Sequence, residues 1–247
     1  RFVVITDSED YFSLFTSVLL QHIPQERLGT FDLEHREAWY PKDRFSTLKG
    51  MFRACSSERL FIPSILKKDF DLVVYLDTDI VFMRPPEDLW DEFDLFKQEE
   101  VIGMAPNLVY YATKRNNEKI PFYGETGLNA GVLLMNLTAI DCFPGGWIPT
   151  CFQIIQQYDK KLKYGDQDLL NVLFQKFPGR VHEIGCEWNV RGFLCRPDAP
   201  PCRSLEQTGT ALLHGNNFAF YSRQYPRIKV RIFSALLCLL FSLLIQL

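Results

Sequence analysis

Apolar and polar positions come in alternating blocks along this chain, and the blocks predict strands and helices in turn. Phe2 to Thr6 is an apolar run with the look of a strand. Asp7-Ser8-Glu9-Asp10 follows as a helix start, and Phe12, Phe15, Val18 and Leu19 then recur at helical spacing. A weaker strand is expected over Thr30 to Glu34. Arg53 to Leu66 carries Leu60, Phe61, Ile65 and Leu66 in a helical pattern that Pro63 bends or interrupts. Leu72-Val73-Val74-Tyr75-Leu76 is continuously apolar and rich in β-branched residues, which predicts a strand covered on both faces. Short strands are expected over Val101–Ala105, Gly131–Met135 and Ala211–Leu213. A helix is expected over Asp166–Phe177, with Leu169, Leu170, Leu173, Phe174 and Phe177 on one face. This alternation argues for an α/β fold, a mainly parallel sheet flanked by helices. No internal repeat or Ser/Gly-rich linker divides the chain, so it reads as one domain.

The ends behave differently. Arg1-Phe2-Val3-Val4-Ile5 reads as a strand already under way. From Ile232 to Ile245 nearly every residue is apolar, after Arg227, Lys229 and Arg231. That run falls short of the about 20 residues a membrane-spanning helix needs. A buried terminal helix is the leading expectation, and a membrane-seeking tail is the alternative.

Composition narrows the function classes. The chain has 247 residues, 47% of them hydrophobic and 23% charged, which is the balance of a folded domain rather than a disordered one. Net charge is -3 and no Lys/Arg stripe interleaves with aromatics, which excludes nucleic acid as the expected partner. Seven cysteines are present; Cys186, Cys195 and Cys202 share one short stretch without C-x-x-C spacing, so disulfides are expected over zinc, with the pairing open. Asn136-Leu137-Thr138 is an N-glycosylation sequon. Together these features point to an oxidising lumen.

The chemistry concentrates at Asp77-Thr78-Asp79, directly after the buried apolar run. Residues two apart in an extended segment point the same way, so both carboxylates can converge on one cation. Ligands of open α/β sheets gather at the carboxyl ends of strands, where this pair sits. Two adjacent carboxylates repel unless a cation balances them. Hard oxygen ligands suit Mn²⁺ or Mg²⁺, either of which can bridge to a diphosphate. His214, following Ala211-Leu212-Leu213, is the candidate third ligand, and an imidazole favours Mn²⁺ over Mg²⁺.

Four segments in order now carry a resemblance: Tyr75-Leu76-Asp77-Thr78-Asp79-Ile80, Gly127-Leu128-Asn129-Ala130-Gly131-Val132, Gly165-Asp166-Gln167-Asp168-Leu169-Leu170-Asn171 and Leu213-His214-Gly215-Asn216. The set resembles glycosyltransferase family 8, retaining enzymes of the Rossmann-like GT-A fold. Within it the chain is similar to the glucoside xylosyltransferases through Glu58-Arg59-Leu60-Phe61-Ile62-Pro63, Tyr123-Gly124-Glu125-Thr126-Gly127 and Cys186-Glu187-Trp188-Asn189. The resemblance implies a catalytic domain over residues 1–226, lacking the family's first strand, and an apolar tail over 227–247. It implies that Asp77, Asp79 and His214 hold Mn²⁺ against the diphosphate of a UDP-xylose donor. Arg59 stands near the donor. Asn129 and Asp166 grip its sugar hydroxyls, and Thr78, Gly131 and Gly215 line the donor path. Gln167 lies beside the anomeric carbon, and Asn216 lies close to the metal and diphosphate. The implied acceptor is a β-glucoside O-linked to EGF-like repeats, as on Notch-type receptors, xylosylated in α-1,3 linkage. The implied address is the Golgi or endoplasmic reticulum lumen, with membrane association. Where the family commonly places a diphosphate-binding lysine after the His-Gly, this chain reads Asn217-Phe218-Ala219-Phe220-Tyr221-Ser222-Arg223.

Three other readings stand beside this one: transfer of glucose or galactose from another UDP-sugar, a catalytically silent sugar-nucleotide binder, and a haloacid-dehalogenase-type phosphatase. The last also places Asp-x-Asp at a strand end, but needs the pair on the domain's first strand, and Asp77 lies much further along.

Overall fold

A computed structural model describes residues 1–42, 57–108, 120–158, 161–195, 199–215 and 242–245. Its main sheet runs β2 (Leu33–Glu37), β1 (Phe2–Thr6), β10 (Ser242–Ile245), β3 (Leu72–Leu76), β6 (Leu128–Asn136), β5 (Ile102–Pro106) and β7 (Val181–Glu183). β1 is parallel to β2, and β5 to β7; β10 is antiparallel to both its neighbours, and β6 to both of its own. Five of the seven strands point one way, but with β6 and β10 reversed four of the six neighbouring pairs are antiparallel, so the sheet of this α/β domain is mixed rather than mainly parallel in its pairing.

Both faces of the sheet are covered, as the continuous apolar run of β3 requires. Val73 and Tyr75 pack into one core cluster, whereas Val74 and Leu76 pack into the other. β6 alternates in the same way, Leu133 and Met135 against Val132 and Leu134. The first cluster also receives Leu169, Leu170, Leu173 and Phe174 from the helix Asp166–Lys176.

Most predicted elements fall where the pattern puts them. β2 starts three residues later than expected, because Leu-Glu-His-Arg-Glu is a half-buried edge strand with no apolar run to mark it. Residues 53–56 of the expected helix lie outside the described residues. The rest divides into a 3₁₀ turn, Glu58–Phe61, and a short helix, Ile62–Leu66, with Pro63 in the first turn, where its missing N–H costs nothing. The sequon's Asn136 caps the helix Leu137–Asp141, its side-chain oxygen accepting from Ala139 N at 2.9 Å.

Of the apolar tail, only Ser242–Ile245 lies among the described residues. Those four form a sheet strand rather than the expected terminal helix, pairing with both β1 and β3. Backbone donors and acceptors on the facing edges of two buried strands need such a partner. No helix among the described residues is long and apolar enough to cross a membrane.

A smaller sheet completes the site: β4 (Ile80–Phe82), β9 (Leu212–His214) and β8 (Val190–Arg191) in that order. Its pairing sets Ile80 opposite His214, and Arg191 opposite His214 on the other side.

Candidate metal centre

The chain turns sharply after β3, and hydrogen bonds fix where Asp77 and Asp79 end up. Asp77 N donates to Gly131 O at 2.9 Å, tying the strand end to β6. Gly215 N donates to Asp79 O at 2.6 Å, tying the far side of the turn to the residue after His214. His214 lies 135 residues beyond Asp79 in sequence, yet the three candidate ligands meet: a ligand atom from each of Asp77, Asp79 and His214 lies within 4.8 Å of the others. His214 Nε2 stands 3.5 Å from Asp77 Oδ2 and 3.4 Å from Asp79 Oδ1. Two carboxylate oxygens and one imidazole nitrogen this close together suit a divalent cation of the Mn²⁺ type. The backbone makes room for the ring, since a Cβ on Gly131 would sit 2.2 Å from His214 Cε1.

Electrostatics support the same assignment. Burial by itself would raise the Asp77 carboxyl, but Arg59, His214 and the Tyr75 hydroxyl outweigh it and bring its pKa down to about 2. Tyr75 donates to Asp77 Oδ1 at 2.7 Å, and Arg59 Nη2 lies 3.2 Å from the same oxygen. For His214, burial acts to lower the pKa, and the two aspartates overcome it and raise it.

Arg59 extends the centre toward a second cluster. Its Nε is 2.8 Å from Asp166 Oδ2, its Nη1 donates to Ala130 O, and its guanidinium lies over the Tyr75 ring. The sequence leaves Arg59 open to pairing with its neighbours Glu58 or Asp69; the fold gives it Asp77 and Asp166 instead, and Asp69 takes Arg36. Asp166 is the first residue of its helix rather than the N-cap, which is Gly165 at φ 58, a left-handed conformation that favours glycine. Freed from capping, the Asp166 carboxylate faces Arg59.

Asn129 and Gln167 complete this cluster, Asn129 Nδ2 donating to Gln167 Oε1 at 3.0 Å. Gly131 and Gly215 are buried between the strands, and Thr78 is exposed at the turn. Asn216 lies outside the described residues. The structure thus unites Arg59, Asp77, Asp79, Asn129, Gly131, Asp166, Gln167, His214 and Gly215.

Two residues enter that the sequence reading gave no role. Asn189, buried at the end of the turn Cys186–Asn189, lies 2.9 Å through Oδ1 from His214 Nδ1. Arg191 is buried on β8, where burial pushes its guanidinium down to about 9. It donates to Asn107 Oδ1 and O, clasping the end of β5 to the small sheet. The one usable signal was position, since both follow Trp188 in a polar interruption between apolar segments. Among the described residues Cys186 pairs with Cys202, which pins this turn to the helix Arg203–Thr208.

Comparison with known proteins fits this geometry. Residues 8–214 match the sequence pattern described as Glycosyl transferase family 8. The chain is 34% identical over 214 residues to glucoside xylosyltransferase 1 of Danio rerio, covering 81% of this chain and 49% of that protein. Against glucoside xylosyltransferase 2 of Mus musculus the identity is 33%, covering 81% and 45%. The chain therefore spans about half the length of these relatives. Among solved structures, the apo form of mouse xyloside xylosyltransferase 1 superposes with a TM-score of 0.58 at 19% identity, over 85% of this chain and 82% of that one. The galactosyltransferase LgtC in complex with donor and acceptor sugar analogs superposes with a TM-score of 0.59 at 21% identity, over 85% and 79%. At those identities the likeness is one of fold.

Proposed function

Because the chain belongs to glycosyl transferase family 8, we propose that it is a retaining, metal-dependent transferase that moves xylose from UDP-xylose in α-1,3 linkage onto β-glucose O-linked to EGF-like repeats. The observation that carries this reading is the convergence of Asp77, Asp79 and His214 within 4.8 Å at the carboxyl end of β3. Asp77, Asp79 and His214 would hold a divalent cation, Mn²⁺ by ligand chemistry, which would supply Lewis-acid neutralisation of a departing diphosphate, worth several kcal/mol. Arg59 keeps Asp77 ionised for that task and holds Asp166 in place. Asp166 and Asn129 grip sugar hydroxyls, Thr78, Gly131 and Gly215 line the donor path, and Asn216 stands near the diphosphate.

Gln167 bears on how configuration is retained. Its Oε1 already accepts from Asn129 Nδ2 and from Ala130 N, which drains the lone pairs a nucleophile would use. The Asp166 carboxylate is engaged by Arg59 and is weakened in the same way. Both facts favour attack from the leaving-group face. The acceptor oxygen bonds to the anomeric carbon as the bond to the phosphate oxygen breaks, and that phosphate oxygen takes the acceptor proton. The Cys186–Cys202 disulfide supports a secretory-pathway address in the Golgi or endoplasmic reticulum.

A donor screen read by product mass tests the proposal, with UDP-xylose, UDP-glucose and UDP-galactose offered alongside a β-glucoside acceptor. Xylose addition that disappears in Asp79→Ala is the expected result. A hexose product overturns the donor assignment, and turnover unchanged by Asp79→Ala overturns the metal assignment. Thermal stabilisation by Mn²⁺ plus UDP without any product identifies a silent binder instead.

A further inference from the structure

Two backbone N–H groups decide how a chain of side chains around the centre is polarised. The oxygen and nitrogen of an amide side chain are told apart only by their partners, but a backbone N–H can only donate. Gly131 N donates to Asn129 Oδ1 at 2.9 Å, and Ala130 N donates to Gln167 Oε1 at 3.3 Å. Those contacts identify the acceptor end of both side chains. Asn129 then donates through Nδ2 to Gln167 Oε1. Asn189 has to donate through Nδ2 to Asn129 Oδ1, a contact of 2.7 Å. Its remaining atom, Oδ1, faces His214 Nδ1 at 2.9 Å. An amide oxygen only accepts, so the proton of that bond sits on Nδ1 of His214. Nε2, the atom facing Asp77 and Asp79, is thereby left to present its lone pair to a cation.

We propose that Asn189 is a positioning residue of the metal centre: it sets the Nδ1–H form and ring angle of His214 and, through Asn129, joins that ligand to Gln167 in one hydrogen-bonded unit. The inference rests on the reading of Asp77, Asp79 and His214 as a cation site, and not on which sugar is moved. Burial makes the relay exacting. Asn129 and Asn189 are 2% exposed and His214 is 4% exposed, so bulk water does not replace a missing partner. Asn189 itself is held from both directions. Behind it, Trp188 Nε1 donates to Glu92 Oε1 at 3.1 Å and the Cys186–Cys202 disulfide anchors the turn; ahead of it, β8 pairs with β9 beside His214.

The test compares Asn189→Leu with Asn189→Asp, reading Mn²⁺ affinity with the cation alone, by electron paramagnetic resonance at constant pH on the full chain. Leucine keeps the branched shape and heavy-atom number and removes both bonds. Aspartate still accepts from His214 Nδ1 but has no amide proton for Asn129. Loss of a partner that orients a metal-bound histidine typically costs 10–100-fold in affinity. The Leu variant is expected to weaken Mn²⁺ by about that factor, with the Asp variant within about threefold of the parent. Sugar transfer should fall in both, since both lose the Asn129 arm. Equal weakening by Leu and Asp reveals a packing role and overturns the inference, as does a folded Leu variant with unchanged affinity. Should the Leu variant not fold, Asn189→Ala is read by the same criteria. A parent chain that binds no Mn²⁺ overturns the metal reading together with this inference, whereas parental binding that Leu leaves intact overturns this inference alone.

Discussion

Replacing Gly131 by alanine puts a methyl group where the ring of His214 stands. The added Cβ would lie 2.2 Å from Cε1, 2.7 Å from Nδ1 and 3.0 Å from Nε2. Carbon atoms in contact prefer about 3.5–4.0 Å, so the ring has to withdraw by more than about 1 Å at its nearest point. Neither side yields easily. Gly131 sits in β6 between β3 and β5, with its carbonyl holding Asp77 N. His214 is buried, its backbone in β9 between β4 and β8 and its Nδ1 bonded to Asn189. The cheapest relief is a tilt of the imidazole, which carries Nε2 off its position by about the same distance. Metal–ligand distances tolerate only about 0.2 Å, so the tilt removes one of three protein ligands.

Gly131→Ala is therefore expected to weaken Mn²⁺ binding at least about tenfold, a floor set by what far gentler disturbance of a bound histidine costs. Overpacking should also lower stability by about 1–3 kcal/mol. Calorimetric titration with Mn²⁺ and urea denaturation read the two effects separately. Gly103→Ala is the matched control. Its Cβ would meet Phe96 Cζ at 3.0 Å and Leu134 Cβ at 3.1 Å, a tight core contact that involves no ligand of the centre. Stability should fall there with Mn²⁺ affinity preserved. An alanine at 131 that binds Mn²⁺ within about twofold of the parent would refute the ring placement on which the centre depends.

Two further outcomes follow from buried groups away from the cation. Burial is the main cause that lifts the Glu58 carboxyl from 4.5 to about 7, with nearby Asp7 adding to it and Tyr40, bonded to Oε1 at 2.8 Å, opposing it. A carboxyl whose folded value is raised stabilises fully below its unfolded value and loses that contribution as pH rises through its folded one. Stability should fall by up to about 3 kcal/mol between pH 4.5 and 7, and Glu58→Gln should flatten that slope in urea denaturation; parallel curves for parent and variant would rule the effect out. The Cys186–Cys202 bridge spans 16 residues, and closing a loop of that size is worth about 3 kcal/mol. Changing both cysteines to serine should lower stability by that order in thermal unfolding, and a loss under about 1 kcal/mol would mean that the turn is held by its other contacts.

What was legible in the sequence was whatever rests on local pattern. The continuous run Leu72–Leu76 announced a strand covered on both faces, and Asp77 and Asp79 had to follow its carboxyl end. The helix from Asp166 was equally plain. Pattern does not encode direction, so the reversal of β6 was invisible, although that reversal brings Asn129 and Gly131 beside Asp77 and His214. Partner choice was hidden too. Arg59 offered Glu58 and Asp69 as neighbours in the chain, while its partners in space come from residues 77 and 166. Asn189 had no role legible in the sequence, because one amide in a short polar interruption reads as an ordinary turn residue until His214 is seen on the next strand.

Charge then links the two halves of the site. Asp77 and Asp166 pair with the single guanidinium of Arg59, Asp79 joins Asp77 at His214 Nε2, and His214 adds a positive charge only while protonated. With a neutral imidazole, which a metal ligand must be, these groups sum to two negative charges. A sugar-nucleotide diphosphate brings about two more into the same space, an arrangement no partly buried site sustains unbalanced. A monovalent ion leaves most of that repulsion in place, whereas a divalent ion brings the protein cluster to neutrality before the donor arrives. Arg59 sets that balance: by pairing with Asp166 as well as Asp77 it leaves a deficit of two charges at the strand end, and one doubly charged cation fills it.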